Sequence, residues 1–567
     1  MKIVEDMTIG KMLSAVVRQH PKKNAVEYLG QYWTYEELDE VTDSIALEML
    51  HMGIRKGTKV GIWANDRPNT LFCFLALEKI GGIPVMLNTS WTVNEVQSQI
   101  ERTDVEYLFY DEGYKELDFV KICEEINTSL LKKKIYIGQK LVEKVEYIRA
   151  LYQMDAVTQC QKENKVEFGE KQEIFCRNEL EQIKCSIQPT DTDVILFTSG
   201  STSMPKGVVT THFSRVNNVY AQAEMVKASC EDVFCVAIPM FHCFSLSGNV
   251  LAALAVGGCI CFPQSRKTDH IYEAIERAGC TILTAVPTLY SAMLANIRRD
   301  QYDIATLRTG LVGGAGCSKE LFVRIYEELH MDLLPSLGQT EATAGITAGS
   351  YEDDLEIRMT SAGYLLEHLE GRIVNVNTGE PCSEGENGEL CIRGYCVMQG
   401  YYKQPELTSQ TIDEEGFLHT GDMGYFDAQG RLYLTGRLKE LIIRGGENIA
   451  PAELEEVIRT DERVAEVKVV GVPDAHYGEE VCACVVLKGT QSDLDENKEA
   501  DVIVPDEIKK DNAVETSVAQ ELRQQIGKQL AAYKMPRYII FLKKLPLTGN
   551  GKIDLTAVKQ IAKEKCI

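Results

Sequence analysis

The chain has 567 residues, of which 44% are hydrophobic and 25% are charged, and its net charge at pH 7 is −24. This length exceeds one ordinary core and predicts at least two domains, while the composition is that of a globular, soluble protein. Because so acidic a chain has no overall attraction for nucleic acid or for anionic membranes, we predict neither as a partner.

The first 110 residues alternate between helix and strand patterns. The segment TYEELDEVTDSIALEMLHMGI predicts an amphipathic helix from Thr34, and TLFCFLALEKIGG predicts a helix that ends at a glycine. KVGIWA and IPVML predict short buried strands. This alternation favours α/β architecture with a parallel sheet. Residues 111–185 are rich in lysine and glutamate with weak periodicity, and we predict a variable surface region there.

The remaining chain changes character three times. Strand–helix alternation resumes over 193–345, and short strands with glycine turns predict a small β-barrel-like subdomain over 370–435. We therefore expect a large N-terminal domain, residues 1–436, of parallel-sheet α/β subdomains plus that β subdomain. A small α+β C-terminal domain, residues 437–567, follows. Within it, residues 489–517 are strongly acidic and predict a solvated insertion.

Three features bear on the compartment. The N-terminal residues include early acids and no apolar signal-peptide core. The apolar stretch 233–265 is interrupted by prolines and glycines, which favours strand, loop, helix and strand of a core over a membrane span. The 18 cysteines include two C-x-C pairs, Cys259/Cys261 and Cys482/Cys484, in strand-like runs. Neither pair has a partner cluster nearby in the sequence, so we predict buried reduced thiols and a cytoplasmic location.

The segment ILFTSGSTSMPKGVVTTH, residues 195–212, has the composition of an oxyanion cradle at the end of a buried strand. It matches neither a Walker P-loop nor a GxGxxG fingerprint. A glycine lets backbone N–H groups approach an anion, hydroxyls donate to its oxygens and a lysine supplies charge. The residues that would do so are Thr198, Ser199, Gly200, Ser201, Thr202 and Lys206. By composition alone, a flexible surface loop rich in serine and glycine remains the simpler alternative.

Further motifs follow in order along almost the whole chain. They are GGAGCS (313–318), SLGQTEAT (336–343), GFLHTGDMGY (416–425), GRLKELIIRGGENIAPAELEE (436–456), VVGVPDAHYGEEV (469–481) and PLTGNGKID (546–554). Together with the loop, this set resembles the adenylate-forming superfamily of acyl-CoA synthetases, amino-acid adenylation domains and luciferases. The resemblance implies that a carboxylate attacks Mg²⁺-bound ATP to give an acyl-adenylate and pyrophosphate. A thiol, coenzyme A in the acyl-CoA synthetases, then displaces AMP.

The resemblance also implies roles for individual residues. Glu341 resembles the magnesium ligand, and Thr340 a donor to the α-phosphate. Lys552 resembles the catalytic lysine of adenylation, and Lys439 marks the hinge about which the C-terminal domain turns. The remaining nucleotide-binding positions are Gly313, Gly314, Ala315, Ser336, Leu337, Gly338, Gln339, Asp422 and Arg437, and Gly445 and Gly446 would line the path of the thiol.

Two positions bear on specificity. Amino-acid-activating relatives have an aspartate where this chain has His242, so the resemblance favours a non-amino carboxylic acid, such as a fatty, aryl or alicyclic acid. A core histidine bonded to backbone is the alternative for His242. Leu337 stands where an aromatic residue usually stacks on adenine, which predicts weaker ATP binding.

The resemblance thus favours an AMP-forming ligase that joins a carboxylic acid to coenzyme A, and several alternatives stay open. An adenylating enzyme that loads the pantetheine of a separate carrier protein is the first, although carrier proteins are typically acidic and this chain would repel one. A ligand-binding relative without catalysis and a luciferase-like oxidation are further alternatives. The sequence leaves the oligomeric state undetermined.

Overall fold

The computed structural model describes residues 2–139, 145–151, 170–198, 205–444, 447–474, 477–488, 502–503, 513–530, 534–547 and 553–566. These residues fall into two compact units. The first unit comprises the described residues up to Gly371 together with Ile392–Leu418. The second unit comprises Arg372–Cys391 and the described residues from His419 onward. The boundary predicted at residues 436 and 437 stays a prediction.

The first unit is built on an eight-stranded sheet and two four-stranded sheets. In spatial order, the eight strands are Gly400–Tyr401, Lys206–Thr211, Thr192–Thr198, Ile83–Met86, Lys59–Trp63, Tyr107–Tyr110, Lys133–Tyr136 and Glu146–Tyr147. One smaller sheet has the order Val233–Cys235, Cys259–Phe262, Asn24–Tyr28 and Gln31–Thr34. The other has the order Thr309–Val312, Asp332–Gly338, Gly345–Ala348 and Tyr364–Leu365.

Helices accompany these sheets along the chain. They are Ile9–Gln19, Tyr35–His51, Pro68–Ile80, Val93–Arg102, Phe119–Glu125, Glu170–Ser186, His212–Met225, Ala252–Val256, Thr268–Ala278, Pro287–Leu294, Lys319–Glu328, Leu355–Thr360 and Pro405–Thr411. The alternation predicted from the sequence is therefore confirmed. The local signals seen in the sequence mark one end of each of two helices. Thr34 and Glu37 form a capping box at the start of Tyr35–His51, and Gly81, with φ of 69°, ends Pro68–Ile80.

The second unit contains most of a four-stranded sheet and a mixed six-stranded sheet. The four strands are Glu370–Val374, Gly388–Arg393, Leu418–Phe426 and Leu432–Arg437, in that order. The larger sheet has the order Glu447–Ile449, Ile442–Arg444, Gly478–Leu487, Tyr538–Phe541 and Val502–Ile503, and Val464–Asp474 pairs with Gly478–Leu487. Helices Pro451–Arg459, Ala513–Gln529 and Leu555–Cys566 complete the unit.

The prediction of a surface region over 111–185 is wrong for part of that segment. Lys133–Tyr136 pairs in parallel with Tyr107–Tyr110 inside the large sheet, and the Tyr136 side chain is fully buried. Phe119 is also buried and stacks on Trp63, with 3.6 Å between ring centroids. Because this strand has only two buried side chains after two lysines, its local pattern is too short to reveal it.

The apolar stretch 233–265 forms buried strands and helical turns of the first unit, as expected. Among the described residues, no helix is long and apolar enough to cross a membrane.

The four C-x-C cysteines are buried free thiols, as expected. The fold adds contacts to these cysteines that the sequence spacing does not reveal. Cys482 Sγ lies 3.6 Å from Cys566 Sγ of the last helix, and Cys261 Sγ donates to Glu27 Oε2 at 2.9 Å.

Candidate active site

Two paired strands hold the ends of the loop predicted to bind phosphate. Thr192–Thr198 and Lys206–Thr211 are antiparallel neighbours, and their register places Thr198 opposite Lys206. The structure therefore brings the first hydroxyl and the lysine of this motif together at the end of a buried strand. Ser199, Gly200, Ser201 and Thr202 lie outside the described residues.

Glu341 lies in a short 3₁₀ turn, Thr340–Ala342, and a tyrosine fixes its carboxylate. The Tyr401 hydroxyl donates to Glu341 Oε1 at 2.8 Å, and the Met398 N–H donates to the Glu341 carbonyl at 2.9 Å. Burial and the adjacent carboxylate raise the pKa of Tyr401, so the phenol stays protonated and remains a donor. Lys206 Nζ lies 4.9 Å from the centroid of the Tyr401 ring. Tyr401 thus contacts both Glu341 and Lys206.

This cluster fits a magnesium ion. Glu341 is partly exposed, and the Tyr401 hydrogen bond reaches only one of its carboxylate oxygens. Mg²⁺ in nucleotide sites takes one or two carboxylates and completes its shell with water and phosphate oxygens. A single carboxylate, oriented by a tyrosine that also contacts Lys206, therefore meets that requirement.

The backbone after Glu341 is held in a conformation that a non-glycine residue adopts only at a cost. Thr343 has φ of 64°, its hydroxyl donates to the Cys396 carbonyl at 2.6 Å, and its carbonyl accepts a bond from Arg215 Nη1 at 2.8 Å. Arg215 is fully buried and pairs with Asp193, with Nε to Oδ2 at 2.8 Å. These side chains stabilise the turn that carries Glu341. The sequence reasoning missed them, because no motif connects residues 193, 215 and 343.

His242 lies beside the same turn. It precedes the short helical turn Cys243–Ser245, is partly exposed, and its ring centroid is 4.6 Å from that of Phe241. The next residue, Cys243, is buried and lies in contact with Thr340, with Oγ1 to Sγ at 3.7 Å. The structure therefore brings the predicted acyl-pocket motif next to the predicted α-phosphate donor. Cys243 was not among the predicted site residues, although its motif was.

The glycines predicted to lie against adenine have steric reasons to be glycine. A Cβ on Gly313 would lie 2.6 Å from the Ser336 carbonyl oxygen, and one on Gly338 would lie 2.1 Å from that of Ala344. Gly314 has φ of 76°, in the left-handed region that glycine favours. Ala315 is exposed beside it.

The strand Asp332–Gly338 carries the next predicted residues. The Ser336 hydroxyl donates to the Thr347 carbonyl at 2.9 Å, and Gln339 is partly exposed just beyond the strand. Leu337 is only 8% exposed, so its side chain contributes to the wall of the core beside the 3₁₀ turn. This strand thus ends just before the 3₁₀ turn that carries Thr340 and Glu341.

In the second unit, Asp422 and Arg437 face each other across two paired strands. Arg437 Nε lies 2.8 Å from Asp422 Oδ1, and the two side chains are 57% and 5% exposed, respectively. Gly421, which precedes Asp422 in the strand Leu418–Phe426, has φ of 71°, and its N–H donates to Glu389 Oε1 at 2.9 Å. The pair therefore offers a buried carboxylate with an accessible guanidinium, which suits a ribose diol or a phosphate.

The remaining predicted residues are those assigned to the hinge, the thiol path and the adenylation lysine. Lys439 lies in the 3₁₀ turn Leu438–Glu440, directly after the strand that carries Arg437. Lys552, Gly445 and Gly446 lie outside the described residues. Their roles stay predictions from the sequence.

Comparison with known families identifies matches over most of the chain. The family model described as AMP-binding enzyme matches residues 13–402, and that described as AMP-binding enzyme C-terminal domain matches residues 453–552. The nucleotide-binding architecture expected from the motifs is thereby confirmed at the level of the family.

Curated relatives match along almost their whole length. Bacillus subtilis YngI is 34% identical over 96% of this chain and 95% of that protein. The acyl-CoA ligase sidI of Aspergillus fumigatus is 30% identical over 98% of this chain and 91% of that protein. The mitochondrial medium-chain acyl-CoA ligase ACSF2 of Bos taurus is 30% identical over 97% of this chain and 87% of that protein.

Solved structures share the fold. The anthranilate CoA ligase AuaEII in complex with anthranoyl-AMP has a TM-score of 0.80, 21% identity, and 100% coverage of both chains. The amide bond synthetase McbA from Marinactinospora thermotolerans has a TM-score of 0.77, 25% identity, and coverage of 97% of this chain and 99% of that one. The predicted fold class is confirmed.

Proposed function

Because the chain belongs to the AMP-binding enzyme family, we propose that it is an AMP-forming ligase that joins a non-amino carboxylic acid to coenzyme A. In the first step a carboxylate oxygen bonds to the α-phosphorus of ATP, and the bond to pyrophosphate breaks. In the second step the thiolate of coenzyme A attacks the acyl carbon, AMP leaves and a thioester forms. The thiol proton passes to solvent or to AMP.

The observation that carries this proposal is that Tyr401 contacts both Glu341 and Lys206. Departure of pyrophosphate builds negative charge, which fixed cations and donors stabilise more than water does. Lys206 supplies such a cation, and Tyr401 keeps the Glu341 carboxylate in one orientation. A magnesium ion held by Glu341 would supply charge neutralisation at the phosphates.

We assign the other predicted residues to binding and orientation. Thr340 would donate to the α-phosphate, and Asp422 with Arg437 would bind the ribose. His242 would contribute to the wall of the acid pocket, where its contact with Phe241 gives an apolar surface and one polar edge. An imidazole carries no negative charge, so His242 cannot form a carboxylate–ammonium ion pair with an amino acid, which favours a non-amino acid.

Medium-chain fatty acids are the first substrates to test. The bovine ACSF2 relative carries that specificity in its name and matches along 97% of this chain. Aryl acids come next, because the AuaEII neighbour holds an aryl adenylate.

The purified chain, supplied with Mg²⁺, ATP, coenzyme A and a panel of fatty, aryl and alicyclic acids, tests the proposal. We expect one AMP per thioester, both detected by mass spectrometry, with at least one class of acid. Acyl-adenylate without a coenzyme A thioester would favour the alternative in which a carrier-protein pantetheine is the acceptor. If no acid gives AMP, the ligase proposal is wrong.

A further inference from the structure

A buried acid, a buried thiol and a histidine meet on two adjacent strands of the second unit. Glu389 and Cys391 are two residues apart on Gly388–Arg393, so their side chains share one face of the strand. His419 lies on the neighbouring strand, Leu418–Phe426. Its Nδ1 atom lies 2.8 Å from Glu389 Oε2 and 3.4 Å from Cys391 Sγ.

The three ligand atoms all lie within 4.8 Å of one another. Throughout the described part of the chain, no other set of three histidine, cysteine, aspartate or glutamate side chains brings its ligand atoms so close. This separates the trio from the ordinary acidic surface of a chain with a net charge of −24. The trio also combines oxygen, sulfur and nitrogen ligands, which surface ion pairs do not.

Two of the three side chains are buried and the third is partly exposed, which gives an ion both enclosed ligands and a path from solvent. Cys391 is fully buried and Glu389 is 8% exposed, whereas the His419 side chain is 36% exposed. A carboxylate in such a place costs free energy unless hydrogen bonds or a cation compensate it. The Gly421 N–H donates to Glu389 Oε1 at 2.9 Å, which fixes the carboxylate with Oε2 next to His419. A second bond of this kind is how proteins orient a metal-binding carboxylate.

We propose that Glu389 Oε2, Cys391 Sγ and His419 Nδ1 bind one divalent transition-metal ion of the zinc type, with water as the fourth ligand. Zinc accepts mixed oxygen, nitrogen and sulfur ligands in tetrahedral geometry, and three protein ligands leave one position for water. Binding requires the Cys391 thiolate and a neutral His419 imidazole, so the thiol proton leaves to solvent. Magnesium prefers oxygen ligands and does not compete for the thiolate.

The position of this site connects it to Asp422. Metal binding replaces the hydrogen-bond contact of His419 Nδ1 with Glu389 by two bonds to the ion, while Glu389 Oε1 still holds Gly421. The Thr420 hydroxyl donates to the Leu390 carbonyl at 2.7 Å, so the same two strands also hold the residue before Gly421. An ion at the trio therefore stiffens the strand backbone that precedes Asp422. The binding itself does not depend on the identity of the acid or on the coenzyme A step.

A cobalt titration of the full-length, metal-stripped chain tests the proposal, because Co²⁺ bound to a thiolate absorbs in the near ultraviolet. We expect one Co²⁺ per chain with this band, and displacement of the band by Zn²⁺ and not by Mg²⁺. Cys391→Ser and His419→Gln should abolish it. Cys382→Ser is the matched control, since Cys382 is a partly exposed thiol of the same unit outside the trio, and this variant should retain the band.

Two outcomes would overturn the proposal: a wild-type chain without a thiolate–cobalt band, or a band of equal strength in Cys391→Ser. The wild-type titration needs no variant to fold, and thermal unfolding of each variant shows whether its fold is intact. No ATP, acid or coenzyme A enters the titration. Failure of the ligase proposal would therefore leave the cobalt result unchanged. Absence of the cobalt band would likewise leave the ligase proposal untouched.

Discussion

At the residue scale, Tyr401 decides how Glu341 can act. A glutamate side chain has three rotatable bonds, and an ion that needs it in one orientation gains from a partner that removes this freedom. The Tyr401 hydroxyl provides that partner at 2.8 Å, and its ring contacts Lys206. The motif around Glu341 was recognisable in the sequence, whereas its link to a tyrosine 60 residues later was not.

Tyr401→Phe removes the hydroxyl and keeps the ring. We expect the apparent affinity for Mg²⁺-bound ATP to fall about tenfold, because a hydrogen bond to a charged group contributes about 1.5 kcal/mol or more. Steady-state kinetics over a range of Mg²⁺ concentrations would show a raised KM.

Tyr402→Phe is the matched control for that variant. Tyr402 is the adjacent residue and also donates to a carboxylate, Asp104 Oδ2, at 2.9 Å. It lacks contact with Glu341, so its KM for ATP should stay at the wild-type value. Equal kinetics for the two variants would contradict the role given to Tyr401.

Leu337→Tyr tests the missing adenine stack. A base stacked on an aromatic ring gains about 0.5–1.5 kcal/mol beyond its buried area, so the KM for ATP should fall severalfold. The KM for the acid should stay unchanged, which gives the control within one protein. An unchanged or raised KM for ATP would refute the prediction.

At the scale of elements, the turn after Glu341 depends on a buried ion pair. Arg215, on the helix His212–Met225, bonds to Asp193 on the strand Thr192–Thr198 and to the Thr343 carbonyl. Alternation of strand and helix was predicted over 193–345, the segment that contains both elements. Their cross-connection was not, because polar side chains at these positions usually indicate an exposed face. Burial of Arg215 follows from packing between elements that are distant in the sequence.

Arg215→Met leaves Asp193 as a buried carboxylate without its cation. Removing one partner of a buried ion pair costs about 3–5 kcal/mol, so we expect a lower midpoint of thermal unfolding. Arg18→Met, at an exposed position of the helix Ile9–Gln19, should leave the midpoint unchanged. Equal midpoints for the two variants would mean that the pair contributes little.

At the scale of the whole molecule, the family resemblance predicts that one chain performs two half-reactions with different residues. Lys552 is assigned to adenylation, and Gly445 and Gly446 to the path of the thiol. This division explains why a chain with one nucleotide site needs a second domain at all. It remains a prediction, because these residues lie outside the described part of the chain.

Lys552→Ala separates the two half-reactions. Loss of a cation that stabilises developing charge should lower the rate of adenylation by about 10²–10³-fold. Thioester formation from a supplied acyl-adenylate should continue. Lys563→Ala, an exposed lysine of the last helix, is the control and should leave both rates unchanged. Equal losses in both half-reactions would contradict the division of roles.

The sequence by itself determined the local elements and the family. The capped helix Tyr35–His51, the glycine-ended helix Pro68–Ile80 and the ordered motifs are encoded in contiguous residues, so periodicity and spacing suffice to find them. Only the tertiary structure decided which distant residues meet. The strand Lys133–Tyr136, the Tyr401–Glu341 contact and the trio of Glu389, Cys391 and His419 all depend on strand pairing and packing. Such contacts are set by the registers and burial of whole elements, and no local pattern records them.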